Sequence, residues 1–165
     1  MTRSFVRMLG GIVFAASATG AVFGQGLPAG QGCEFGLIFE PLEEGHQFVR
    51  LDRLEADHGR TGMLILAGQF GRLKVSNEST GESLVLPGRG ANLMVVNNSD
   101  GTQTLTFTGY WVISWYPTDT PAGPSTIQYI GRLVVLNTTL QDGTVVSTLQ
   151  SVSGKEVLDV CAALS

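Results

Sequence analysis

His46 and His58 are the two histidines of the chain, so a hydrolase relay built on imidazole has to pass through one of them. His58 follows Glu55 and Asp57 in the stretch EADHGRTG, residues 55–62, which has the makings of a carboxylate and imidazole group. That stretch is polar and punctuated by glycine, the composition of a turn, and neighbouring side chains in a turn seldom converge on one substrate. Glu34, Glu40, Glu43 and Glu44 offer paired carboxylates of the kind used in glycoside hydrolysis. The same acids, or those between Asp52 and Asp57, could serve a calcium ion. Distance along the chain does not set distance in space. The sequence therefore assigns no catalytic residue, no metal site and no cofactor.

Cys33 and Cys161 are the two cysteines, one near each end. Neither has a histidine beside it, which argues against a metal or an activated thiol and for a single disulfide in an oxidising compartment. Such a bond closes a loop of more than a hundred residues and would restrict the unfolded chain by about 4 to 5 kcal/mol.

The aromatic residues Tyr110, Trp111, Trp115, Tyr116 and Tyr129 form the best candidate for a ligand-binding surface, because such side chains stack on sugars and anchor protein partners. Trp111 and Trp115 read as core. Tyr116 and Tyr129, flanking a proline-rich segment, are expected to be exposed, and the ligand-binding set is Tyr116, Tyr129, Tyr110 and Trp115. Asn77, Asn97 and Asn137 stand in glycosylation sequons.

These aromatics lie in the segment that organises the chain, residues 109–137. Two apolar runs with strand-forming residues on both faces are joined by PTDTPAGP, residues 117–124, whose three prolines cannot donate to a ladder. The prediction is a central hairpin with a stiff tip, read first as a rigid turn that sets strand register and alternatively as a recognition element. Elsewhere, short strands are expected at 35–39, 46–54, 63–67, 69–76, 83–86 and 91–96. Two Asp-Gly corners, at Asp100 and at Asp142, mark further hairpins. Residues 102–108 alternate strictly, with Leu105 and Phe107 on one face and Thr102, Thr104, Thr106 and Thr108 on a face expected to meet water. A strand at 144–152, a turn at 153–155 and a last strand at 156–161 complete the prediction. About ten short strands and no helix-period segment indicate an all-β chain, an antiparallel β-sandwich, with a closed β-barrel as the alternative.

The first 24 residues stand apart. Arg3 and Arg7 precede an apolar, small-residue-rich run from Met8 to Val22, and no acid occurs before Glu34, which together describe a secretory signal peptide. The run is too weakly apolar for a permanent membrane span. Cleavage after Gly24, or alternatively after Ala21, would leave a flexible leader at 25–32 and one β domain at 33–165. Losing two arginines brings the ten basic residues to eight against 14 acidic ones, a net charge of −6. That balance opposes binding to nucleic acid or to anionic membrane surfaces.

The segments YPTDTPAGPSTIQYIGR, residues 116–132, and LQSVSGKEVLDVCAAL, residues 149–164, resemble a family of exported bacterial proteins, common in actinobacteria and without an assigned activity. An early cysteine, an AGxxxxLxxxN-like pair of strands between Ala67 and Asn77, and the hairpin NSDGT from Asn98 to Thr102 extend the likeness. It implies export and a compact β domain. The chain differs from that pattern in its longer, more charged stretch from Glu43 to Arg60. Two roles are compatible with these readings. One is a non-catalytic exported domain that binds a glycan, protein or small molecule. The other is a barrel that binds or isomerises a small apolar molecule in a pocket lined by Phe107, Trp111 and Trp115. If the leader is processed as described, N-terminal sequencing of the exported protein will begin at Gln25, or at Val22 for the alternative site; a chain that keeps Met1 would contradict the signal peptide.

Overall fold

The computed structural model describes residues 25–42, 46–52, 62–69, 72–88 and 90–165. Residues 1–24, where a signal peptide is expected, lie outside the described residues, as do Glu43, Glu44 and the group Glu55, Asp57 and His58. Two antiparallel sheets make up the fold. The smaller holds β1 (Gln25–Leu27), β2 (Leu37–Pro41), β5 (Arg72–Asn77) and β6 (Ser83–Pro87), in the order β1-β2-β5-β6. The larger runs β10-β9-β8-β7-β4-β3, from β10 (Val145–Asp159) through β9 (Ser125–Thr139), β8 (Gln103–Trp115), β7 (Asn92–Asn97) and β4 (Gly62–Gln69) to β3 (His46–Asp52). The strand order does not return on itself, so the sandwich holds and the closed-barrel alternative is overturned. The one described helix is the short α1 (Val160–Ala163), capped by the Asp159 carboxylate, which accepts from the Ala162 amide.

The spine is the β8–β9 ladder. Thirteen consecutive pairs run without a shift from Gln103↔Asn137 to Trp115↔Ser125. Odd residues of both strands share one face, and Leu105, Phe107, Trp115, Tyr129, Leu133 and Val135 join Leu93 and Val95 of β7 in one buried cluster. The other face of the same hairpin packs against the small sheet. There Val112 and Tyr116 meet a second cluster of Leu27, Cys33, Leu37, Phe39, Val75, Leu86, Val160 and Leu164. Both faces of the hairpin's loop end are therefore covered, which is why apolar residues fill both sides of the sequence there.

Glycine marks where this sheet crosses itself most tightly. Gly109 pairs with Gly131, and Gly131 with Gly154, giving a glycine row across three strands. Gly109 and Gly131 have φ of 87° and 121°. A Cβ on Gly109 would strike the Gly90 carbonyl, and one on Gly131 the Gly154 Cα and Ser153 carbonyl. Trp111 bends back beside this row, its Nε1 donating to the Thr108 carbonyl at 2.9 Å and its ring meeting Phe107 edge-on at 5.0 Å.

Several boundaries differ from expectation for reasons visible here. Residues 153–155 do not turn; they continue β10, because Gly154 answers the close approach of Gly131 rather than a reversal. Likewise β8 passes unbroken through Gly109. Residues 25–32 are not a free leader: β1 pairs with β2, Leu27 is buried, and a turn closes with the Gly30 amide donating to the Cys33 carbonyl. The threonine face is not uniformly wet either. Thr106 is buried between Met94 and Val134, its register partners.

The disulfide joins Cys33 to Cys161 across 128 positions, with Cα atoms 5.5 Å apart. Around it the segments that carry the two cysteines are tied to β9 and β5 by direct hydrogen bonds. Thr126 Oγ1 donates to the Gly32 carbonyl at 2.8 Å, and Asn77 Nδ2 donates to the Leu164 carbonyl at 2.9 Å. Two outcomes are expected from urea unfolding. Reduction of the disulfide will lower stability by about 4 to 5 kcal/mol. Gly131→Ala, adding a side chain at positive φ against backbone, will cost about 2 kcal/mol or more.

Candidate functional site

The proline-rich tip, residues 116–124, does not project from the hairpin. It folds back onto the outer edge of β10. Asp119 is the clamp: one carboxylate oxygen accepts the Tyr116 amide at 2.8 Å, the other accepts the Ser147 amide at 2.8 Å. Next to it Thr120 makes a parallel bridge to Thr148, with the Thr120 amide donating to the Ser147 carbonyl and the Leu149 amide donating to the Thr120 carbonyl. The Tyr116 carbonyl closes the loop by accepting from both Asp119 and Gly123. Gly123 has no room for a Cβ beside the Trp115 carbonyl.

The Thr120–Pro121 and Gly123–Pro124 peptide bonds are cis. With Asp119 only 5% exposed, the loop's outer surface consists of Pro117, Thr118, Thr120, Pro121 and Ala122, and carries no charge. Beneath the clamp, Ser147 Oγ donates to Asn137 Oδ1 at 2.9 Å, so the polar groups under the loop are satisfied internally.

The four aromatic residues chosen from the sequence do not form one surface. Trp115 and Tyr129 are 1% and 3% exposed, and Trp115 Nε1 donates to the Tyr129 hydroxyl at 3.2 Å inside the first cluster. Tyr129 therefore corrects the expectation that it would be exposed. Its odd position places it on the covered face of β9, opposite Trp111. Tyr116 is half-buried at the base of the loop, packed against the second cluster. Tyr110 is partly exposed on the same face but six positions away, about 20 Å along the strand.

Burial raises the Tyr129 phenol above its ordinary value, with the Glu156 charge adding to the rise and the Trp115 donor opposing it. Burial also raises Tyr116, helped by the Asp119 charge. At the hairpin corners the opposite holds. Asp100 is lowered by the Thr102 hydroxyl and amide, and Asp142 by the Thr144 amide and hydroxyl.

His46 opens β3. Among the described residues no three His, Cys, Asp or Glu side chains gather as a metal site would require. The sequon asparagines are engaged by the fold. Asn77 is 3% exposed, with Oδ1 accepting from Ser79, and Asn137 is 6% exposed beneath Ser147. Asn97 Oδ1 accepts from Gln103 Nε2. The residue that sequence reading missed is Asp119. Its signal was present, an aspartate two positions after a proline at the end of a strand, where a carboxylate commonly caps a turn.

No family model matches this chain, and neither a curated protein nor a solved structure matches it.

The tyrosine shifts carry a sign. A phenol whose folded pKa lies above its unfolded value of 10.0 adds stability that is complete below pH ~10 and is lost as pH rises through the folded value. From neutral pH to ~10 the urea midpoint should accordingly be flat with respect to these phenols and fall above that, and Tyr129→Phe should flatten part of that fall.

Proposed function

We propose that this chain is an exported, non-catalytic β-sandwich that binds a partner in the cell envelope or medium through the loop at residues 116–124. The observation that carries the reading is the Asp119 clamp. Because both carboxylate oxygens and the Thr120 backbone are tied to β10 or to Tyr116, the loop is ordered before any partner arrives, and association does not have to offset its ordering entropy.

Such a loop presents proline rings, an alanine methyl and two threonine hydroxyls on a rigid base. This uncharged chemistry suits an apolar or hydroxyl-rich partner, a glycan or a protein surface, better than an ionic one. Tyr116, half-buried at the base of the loop, is the loop's one aromatic side chain. Tyr129 and Trp115 act at a distance, by fixing the hairpin that carries it. Export is supported by the signal-like leader in the sequence and by a disulfide that suits an oxidising compartment.

The test is a glycan array and pull-down from the native medium with the mature chain, beside Tyr116→Ala and Pro121→Ala variants whose circular dichroism matches wild type. Binding should weaken by about tenfold or more in both variants and change little between low and moderate salt. A partner retained equally by all three proteins would place the binding surface elsewhere.

A further inference from the structure

We infer that the loop and β10 together form an edge guard that keeps the β10 edge of the large sheet from pairing with a second copy of this chain. β10 is an outer strand of 15 residues, and residues 150–157 are all exposed, with Val152 at 45% and Val157 at 44%. A long edge carrying valines is the feature that templates strand addition. The other edges of the described fold in the small sheet are short: β1 has three residues, and β6 has five and ends in Pro87.

The direction of the backbone groups can be worked out along β10. The Ser147 carbonyl and Leu149 amide point outward, since they bond Thr120. In an antiparallel pair both polar groups of one residue point the same way and alternate along the strand. Pairing with β9 skips one residue between Leu149 and Ser151 and then continues evenly from Ser151↔Val134 to Glu156↔Tyr129. The outward residues of this window are therefore Val152, Gly154 and Glu156.

Three devices act on that edge. Thr120 occupies positions 147–149 as a one-residue strand held by Asp119. Register shifts at Leu149/Ser151 and Glu156/Leu158 confine the regular window to six residues. Lys155 stands within it. In the two-fold register that sets Gly154 against Gly154 of a second copy, each Lys155 faces Ser153 and lies diagonal to the other Lys155, so the charges repel and each ammonium loses water. Shifting the centre to Lys155 opposes the two ammonium groups directly.

The experiment compares wild type, an Asp119→Ala/Lys155→Val double variant, and a triple variant that adds Val152→Pro, by sedimentation velocity over a hundredfold range of concentration. Val152 directs its amide outward, so proline there removes a donor from the edge without breaking the β9 ladder. Wild type should stay monomeric, the double variant should associate with rising concentration, and the triple variant should return to monomer. A folded double variant that stays monomeric overturns the inference. So does association that Val152→Pro leaves unchanged, because it would come from loosened structure rather than from the edge, and so does a wild type already paired through β10. None of these outcomes depends on what the loop binds.

Discussion

The fold depends on keeping one ladder, β8 against β9, in register over its full length while covering both of its faces. The odd side chains commit to the cluster around Leu133 and Trp115, the even ones at the loop end to the cluster around Val75 and Leu37. A slip of one position would exchange these sets and set Thr126 and Gln128, buried and hydrogen-bonded on the small-sheet side, among apolar groups that offer them no partner. Register is thus fixed from two sides at once. The glycine row through Gly109, Gly131 and Gly154 lets neighbouring strands approach along that ladder where no side chain would fit.

The class of fold and the main hairpin were legible because they rest on alternation and on turn residues with local preferences. Gly101 and Gly143 adopt positive φ in the Asp-Gly corners, where the preceding aspartates accept from Thr102 and Thr144. The disulfide followed from there being two cysteines in a chain with a leader-like start. What escaped was of longer range. Gly154 looked like a turn because the strand it must approach lies more than twenty residues earlier. Thr106 looked wet because nothing local announces Met94 and Val134 as its neighbours. Tyr129 was misplaced by its nearness to the prolines, although its parity with Leu133 and Val135 already put it on the covered face.

The candidate site was half readable. Prolines announced a stiff segment, but its direction depends on Asp119 reaching an amide 28 positions away on Ser147. A buried carboxylate is costly unless its oxygens are satisfied, and here each takes a backbone amide that would otherwise lack a partner at a strand edge. The loop's apparent freedom in the sequence is in fact a tether, and its uncharged outer surface results from using its one acid inward.

Leu27 and Cys33 at one end of the described chain, and Val160 and Leu164 at the other, belong to a single cluster beneath the small sheet. A polypeptide released stepwise from a ribosome thus has an unfinished interior until Val160 and Leu164 emerge. Loss of the segment from Val160 to Leu164 would leave the small sheet without its floor and Cys33 without its disulfide partner.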